Sequence, residues 1–202
     1  SRTTAMAGKY FGGTLPAARQ ADPLDDELIS MASSLRGRYE EQMERFAFQN
    51  ALSEVFKVIA RANKYIDETA PWVLGKDVEA NGPRLASVLY NLLETARICG
   101  VLLTPFMPES MDKLFAQIGA GPDCRTWDSA ALWGALPAAA AVTKGENLFP
   151  RIDPEQALAE LEQAAEEARK AALPGLELEP FLEEKVDFDT FCKSDFRAVK
   201  VK

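Results

Sequence analysis

Residues 49–72 read QNALSEVFKVIARANKYIDETAPW. Within them Leu52, Val55, Phe56, Ile59, Ala62 and Ile66 recur at steps of three and four, the spacing that puts side chains on one face of an α-helix. The period predicts a helix from about Gln49 to Glu68, and Pro71, with no amide hydrogen to offer, stops it. Upstream, Leu28, Ile29, Met31, Ala32, Leu35, Tyr39, Met43 and Phe46 predict a helix from Asp25 to about Phe46. Asp25, Asp26 and Glu27 stand in its first turn, where the positive end of the helix dipole favours acids. Downstream, Leu85, Val88, Leu89, Leu92, Leu93, Ala96 and Cys99 predict a helix from Pro83 to Leu103, and a shorter one follows from Glu109 to Ile118. Residues 1–12 read as the tail of another helix, ended by Gly12-Gly13. Four or five helices joined by short turns make an all-α helical bundle. No strand alternation shows before residue 140. Residues 120–150 read as loop, with Trp127 and Trp133 packing it onto the bundle and no binding role assigned to either.

The remainder of the composition removes function classes. There is no histidine, the commonest general base and the usual partner of Ser or Cys nucleophiles, so most triad-type catalysis is excluded. Cys99, Cys124 and Cys192 are far apart and form no CxxC pair, so no zinc site is expected. Their sparse, odd number suits a reducing cytoplasm; Cys99 falls on an apolar helix face, whereas Cys124, beside Gly121-Pro122, is expected to be exposed. No stretch approaches the roughly 20 apolar residues of a membrane helix, and no membrane partner is expected. Ser1-Arg2-Thr3-Thr4 carries neither an initiator Met nor a signal peptide, so the start reads as a cut. The paired acids Asp25-Asp26, Glu40-Glu41 and Glu166-Glu167 are adjacent and point to different sides of their helices, reading as solvated faces rather than acid/base pairs.

A formal net charge of −8 looks wrong for a nucleic-acid binder. Its distribution changes that view: residues 1–152 hold 16 Lys and Arg against 18 Asp and Glu, whereas residues 153–185 hold 3 against 10. Asp153 to Leu173 is Ala- and Glu-rich, closes at Pro174-Gly175 and reads as a solvated, semi-rigid spacer helix. Leu176 to Lys185 is an acidic linker. Val186 to Phe191, with Phe196, Ala198, Val199 and Val201, shows the alternation of a strand, so a β-containing domain is expected to open there.

Asn63-Lys64-Tyr65-Ile66-Asp67-Glu68-Thr69-Ala70-Pro71-Trp72 closely resembles the signature of the anticodon-binding domain of methionyl-tRNA synthetases. Ser1-Arg2-Thr3 with Lys9-Tyr10-Phe11-Gly12-Gly13 is similar to the helix that opens that domain, and Leu102 to Pro108 to its later helix junction. The resemblance covers residues 1–152. Residues 186–198 resemble the opening of the tRNA-binding, OB-type β-barrel appended to some bacterial members, cut short here. The resemblance implies a class I synthetase bundle over 1–152, an acidic helical linker over 153–185 and the truncated start of the barrel over 186–202.

It further implies that Trp72, after Pro71, stacks on an unpaired anticodon base of tRNA(Met), that Arg2 contacts the same base and that Asp67 stands beside the pocket with Asn63. The family's Asn one turn before that Arg falls ahead of Ser1. ATP and methionine would bind in a catalytic domain of the same chain that lies outside these residues, so no catalytic residue and no cofactor are expected here. Homodimers would need a complete barrel. Physically, single-stranded RNA is read by splaying bases onto aromatic faces and bonding their edges, which needs few residues and no basic surface.

From composition alone Trp72 would more often fold over the core, and only the surrounding decapeptide favours an exposed platform. Asn63 lies near the apolar stripe, where a satisfied buried amide is the expected role. Asp67 either faces solvent or pairs with Arg2; the residues leave both open. The competing reading is a helical scaffold whose exposed faces bind protein and have no RNA role.

Overall fold

The computed structural model describes residues 2–149, 153–172 and 187–193. They divide into two compact units, Ser1–Pro150 and Arg151–Lys202. The first holds α1 (Arg2–Phe11), α2 (Leu24–Ser33), α3 (Leu35–Glu44), α4 (Phe48–Thr69), the single turn α5 (Pro71–Leu74), α6 (Val78–Leu103) and α7 (Pro108–Ile118). Two short 3₁₀ turns, Pro122–Arg125 and Asp128–Ala131, follow. The all-α bundle expected from the periodicity is therefore what forms. Among the described residues the only β pairing is an isolated bridge between Thr14 and Ala141.

The one helix expected over 25–46 is two. Ser33 and Ser34 each turn a hydroxyl back onto the carbonyl four residues earlier, Ile29 and Ser30, at 2.7 Å, and such back-bonding bends a helix. α6 begins five residues before the expected start at Pro83. Asp77 caps it by accepting the Ala80 amide at 3.0 Å. Pro83 then forgoes only the bond to the Glu79 carbonyl, and both residues stand at the exposed start of the helix.

α6 is the axis of the bundle. It packs against α1, α2, α4, α5 and α7, and from Leu85 to Leu103 nearly every side chain is buried. Contrary to expectation, this helix is long and apolar enough to cross a membrane; its burial within the bundle accounts for that composition. Cys99 is core, as expected, and burial pushes its thiol up to about 12.

A polar clamp fastens the loop after α7 to this axis. Glu94 and Arg97 pair at 2.7 Å with both side chains wholly buried. Arg97 also donates to the carbonyls of Cys124, Ser129 and Leu132 and to the Ser129 hydroxyl, at 2.7 to 3.0 Å. Glu94 accepts the amides of Gly134, Ala135 and Leu136 at 2.9, 2.9 and 3.2 Å. Trp133 packs against the core as expected. Trp127 lies on Tyr39, ring centroids 5.8 Å apart, and donates its indole N–H to Glu40 at 2.7 Å. Cys124 is half-buried rather than exposed, because its thiol reaches the Ala135 carbonyl at 3.0 Å inside the clamped loop. Gly119, at φ +69°, ends α7 where a Cβ would collide with the Ala141 carbonyl.

In the second unit, α8 (Pro154–Ala172) is exposed along most of its length, Leu158 and Leu161 included, as expected of a solvated spacer. The strand expected over 186–191 is not what forms at its described part. α9 (Phe188–Cys192) is a single helical turn, because Asp187 accepts the Thr190 amide at 2.9 Å and nucleates a cap. The acidic linker expected over 176–185 and the rest of the expected barrel start lie outside the described residues.

Removing one partner of a buried, hydrogen-bonded ion pair costs about 3–5 kcal/mol. Arg97→Met should therefore lower the urea midpoint by an amount equivalent to that loss and leave α6 intact by circular dichroism.

Candidate nucleic-acid interface

Asp25, expected as a solvated first-turn acid, is 3% exposed. Burial alone would raise its carboxyl, but two hydrogen bonds from Arg84 at 2.8 Å, one from the Tyr65 hydroxyl at 2.6 Å and one from the Asp22 amide at 3.1 Å outweigh it. The net effect holds Asp25 below its ordinary value. Burial, reinforced by Asp25, drives the Tyr65 hydroxyl well above its usual range. Asn91 donates to the Tyr65 hydroxyl at 3.1 Å, and Thr69 donates to the Tyr65 carbonyl at 2.6 Å. The carboxyl end of α4 is thus tied to α2 through Asp25 and to α6 through Arg84 and Asn91.

The chain then turns sharply. Ala70 takes the left-handed conformation, φ 42° and ψ 59°, closing α4 with its amide on the Ile66 carbonyl at 3.0 Å. Pro71 is buried at the first position of α5, where a missing amide is harmless. Leu74 packs against Leu28, Tyr65, Val88 and Leu92. Between these two anchors Trp72 and Val73 face outward, 47% and 51% exposed. The site-residue reading that composition alone disfavoured, an exposed Trp72, is the one the structure places here.

Asn63 and Asp67 are four residues apart on α4, hence about 40° apart around its axis, and both are exposed. The satisfied, buried amide expected for Asn63 is not found: its side chain has no hydrogen bond among the described residues. The apolar stripe drawn from the periodicity was centred wrongly. The buried face runs through Ala51, Val55, Val58, Arg61, Tyr65 and Thr69, while Phe56 is 56% exposed. Arg61 crosses that face to bond Glu27 at 2.6 Å. Asp67 has no ion pair among the described residues, so of the two roles left open it takes the solvent-facing one.

Arg2 opens α1 and is exposed, without a partner among the described residues. The other end of that helix meets the site: the Tyr10 ring lies against Gly75, where any side chain would collide with it. Arg2 is eight residues earlier, about 12 Å along the axis. The structure therefore brings Asn63, Asp67, Pro71 and Trp72 to the carboxyl half of α4 and the turn after it, with no ion pair between Arg2 and Asp67 and no cation–π contact of Arg2 on Trp72 among the described residues. Val73 was missed by sequence reading, since nothing but its place between two anchored neighbours shows that it points outward.

A helical bundle that ends its longest outer helix in an anchored turn with an exposed Trp fits the anticodon-binding class of domain that the decapeptide ending at Trp72 resembles. A family profile described as the anticodon binding domain of methionyl tRNA ligase matches residues 15–169. The chain belongs to this family of methionyl-tRNA ligase domains. It is 45% identical over 202 residues to the methionine–tRNA ligase of Caldanaerobacter subterraneus subsp. tengcongensis, and 44% identical over 201 residues to that of Clostridium perfringens. Each match covers 100% of this chain and 30% of the relative, so the chain spans under a third of their length. The apo structure of Mycobacterium tuberculosis methionyl-tRNA synthetase superposes with a TM-score of 0.70 at 30% identity, over 76% of this chain and 31% of that one. The same synthetase bound by methionyl-adenylate gives 0.68 at 29%, over 74% and 29%.

Two outcomes follow from this geometry. Because the folded carboxyl of Asp25 sits below its ordinary value near 3.8, its stabilisation is complete above that value and is lost as pH falls through the lowered one. Urea midpoints of the Asp25→Asn chain should be lower at neutral pH and fall less steeply below about pH 4. Ala70→Gly removes a Cβ from a left-handed position, worth about 1–2 kcal/mol, against about 0.5–1 kcal/mol of added chain entropy. It should melt no lower than the parent.

Proposed function

We propose that this domain reads the anticodon loop of tRNA(Met), with Trp72 as the platform on which an unpaired base stacks and with Asp67, Asn63 and Arg2 as hydrogen-bonding groups around it. The observation that carries the reading is an exposed indole held between two anchors, buried Pro71 and half-buried Leu74, in a domain of the anticodon-binding family. Pre-anchoring the turn means little order has to be gained on binding, which leaves more of the stacking energy as affinity. Amide and carboxylate groups projecting from one face of α4 can accept and donate to base edges, the means by which unpaired RNA bases are told apart.

In the whole ligase we further propose that methionine is joined to tRNA(Met) with consumption of ATP, in the cytoplasm, and that the nucleotide and methionine sites lie outside this chain. In keeping with that placement, the sequence has no histidine, and the buried acids Asp25 and Glu94 are saturated by structural partners. We place the bundle at 1–152, a spacer at 153–185, and at 186–202 the opening of an appended tRNA-binding barrel whose completion would support dimers.

The test is binding of a fluorescent anticodon stem-loop carrying CAU, against one with the first anticodon base changed. Stacking on an aromatic side chain is worth about 1–3 kcal/mol per base, so Trp72→Ala should weaken CAU binding by about 5- to 150-fold and erase the preference. Trp72 is half exposed, so the variant should keep its fold. No CAU preference, in this chain and in a version extended upstream, would overturn the reading.

A further inference from the structure

At the opposite end of α4 the backbone is strained again. Phe46 adopts φ 57°, a left-handed conformation in which a bulky side chain is rare and costly. Among the described residues it shares positive φ only with Ala70 and with glycines. The turn closes α3, with the amides of Phe46 and Ala47 on the Met43 and Gln42 carbonyls at 2.9 and 3.0 Å, but the Phe46 side chain gains no burial from it and is 80% exposed. It meets Phe48, itself 48% exposed, edge to face at 6.3 Å between centroids. Eight residues on, Phe56 is 56% exposed, with half-buried Leu52 between them. Phe48, Leu52 and Phe56 follow the i, i+4, i+8 spacing of an apolar recognition stripe on a helix.

We infer that the Phe46, Phe48, Leu52 and Phe56 stripe is a docking face for polypeptide, and that its occupant is the portion of the ligase chain lying outside these 202 residues. Three observations favour that occupant. The relatives that this chain matches end to end are about three times its length, so the bundle in this family has a large body of further protein to rest against. The stripe offers no hydrogen-bonding group, and its charged neighbours Glu41, Glu44, Arg45, Glu54 and Lys57 carry no excess of positive charge, the wrong balance for a phosphate backbone. α4 has 22 residues, so about 33 Å separates this end from the Trp72 turn, and both ends can be engaged at once. Burial of three aromatic rings on a partner also supplies an apolar gain that the isolated bundle lacks, as exposed apolar patches at interfaces do. The inference rests on the family assignment and is independent of anticodon reading.

Hydrogen exchange tests it. Peptides covering residues 45–53 are followed in this 202-residue chain and in the complete ligase, each without RNA and with the CAU stem-loop. Exchange there should be about tenfold slower or more in the complete ligase without RNA, and the slowing should vanish in the ligase carrying Phe46→Ser with Phe48→Ser. The same pair of substitutions, made at exposed positions, should leave the melting temperature and stem-loop affinity of the 202-residue chain unchanged. Equal exchange in chain and ligase would overturn the inference. Slowing that appears only with the stem-loop would assign the stripe to RNA, and slowing that grows with concentration of the 202-residue chain alone would assign it to a second copy; either also overturns it. Loss of CAU preference would bear on Trp72 and leave this result untouched.

Discussion

The Asp25 carboxylate holds the candidate site together. A carboxylate taken out of water alone would protonate or unfold the site; with both Arg84 nitrogens at 2.8 Å and the Tyr65 hydroxyl at 2.6 Å it is saturated instead. These bonds come from α4 and α6 onto α2, so the last turn of α4 cannot rotate without breaking a buried charge network. The direction in which Ala70, Pro71 and Trp72 leave that helix follows from this constraint. A buried pair of this kind is weak evidence for net stability, but it disfavours every other register of the three helices. Exposed pairs such as Arg45 with Glu41, and Lys170 with Glu166, set no comparable constraint, since surface pairs contribute about 1 kcal/mol or less.

Glu94 and Arg97 do for the loops what Asp25 and Arg84 do for the helices. Between them they satisfy three amides and three carbonyls of residues 124–136, groups that an irregular segment packed on a core would otherwise leave unpaired. This explains how the segment can lie against α6 with so little regular structure. All four charged residues sit on α2 or α6, and three of them on α6. The helix that looks most apolar along the chain is therefore also the one that organises the buried charge.

The period of the apolar residues made the helices legible, and the strong stops at Gly12, Pro71 and Gly119 made several of their ends legible too. The period did not fix which face of α4 is buried. Phe56 and Tyr65 both fit an apolar stripe, and the choice is made by Asp25, a partner 40 residues away from Tyr65. Asp25 and Asp26 look alike in sequence, yet one is buried and the other exposed, because only Asp25 faces Arg84. The Ser34 break depends on hydroxyl rotamers, and the early start of α6 on an Asp cap that outweighs the usual meaning of Pro83. At the site, Trp72 was legible only through its decapeptide. Its exposure comes from Leu74 and Pro71 being anchored on either side, a tertiary fact. Arg2 was legible as a member of the same motif set, but its position relative to Trp72 is set by how α1 seats Tyr10 on Gly75.

The charge balance limits how such a domain can hold RNA. Residues 1–152 are close to neutral, 16 cations against 18 acids, and several of the cations are consumed internally: Arg84 and Arg97 are buried in networks, while Arg36, Arg38 and Arg61 are paired. Few remain to displace counterions, each phosphate contact on a single strand contributing about −0.7 to the salt slope. Long-range attraction to a polyanion is therefore weak, and residues 153–185, with 3 cations against 10 acids, add no net positive charge to it. Affinity then has to come from short-range contacts, stacking above all, which act only once a base is in place. A domain built this way discriminates between loops better than it collects them. On the proposed anticodon reading, capture of a tRNA body would fall to protein outside the bundle, in keeping with a bundle that has an exposed indole at one end of α4 and an exposed apolar stripe at the other.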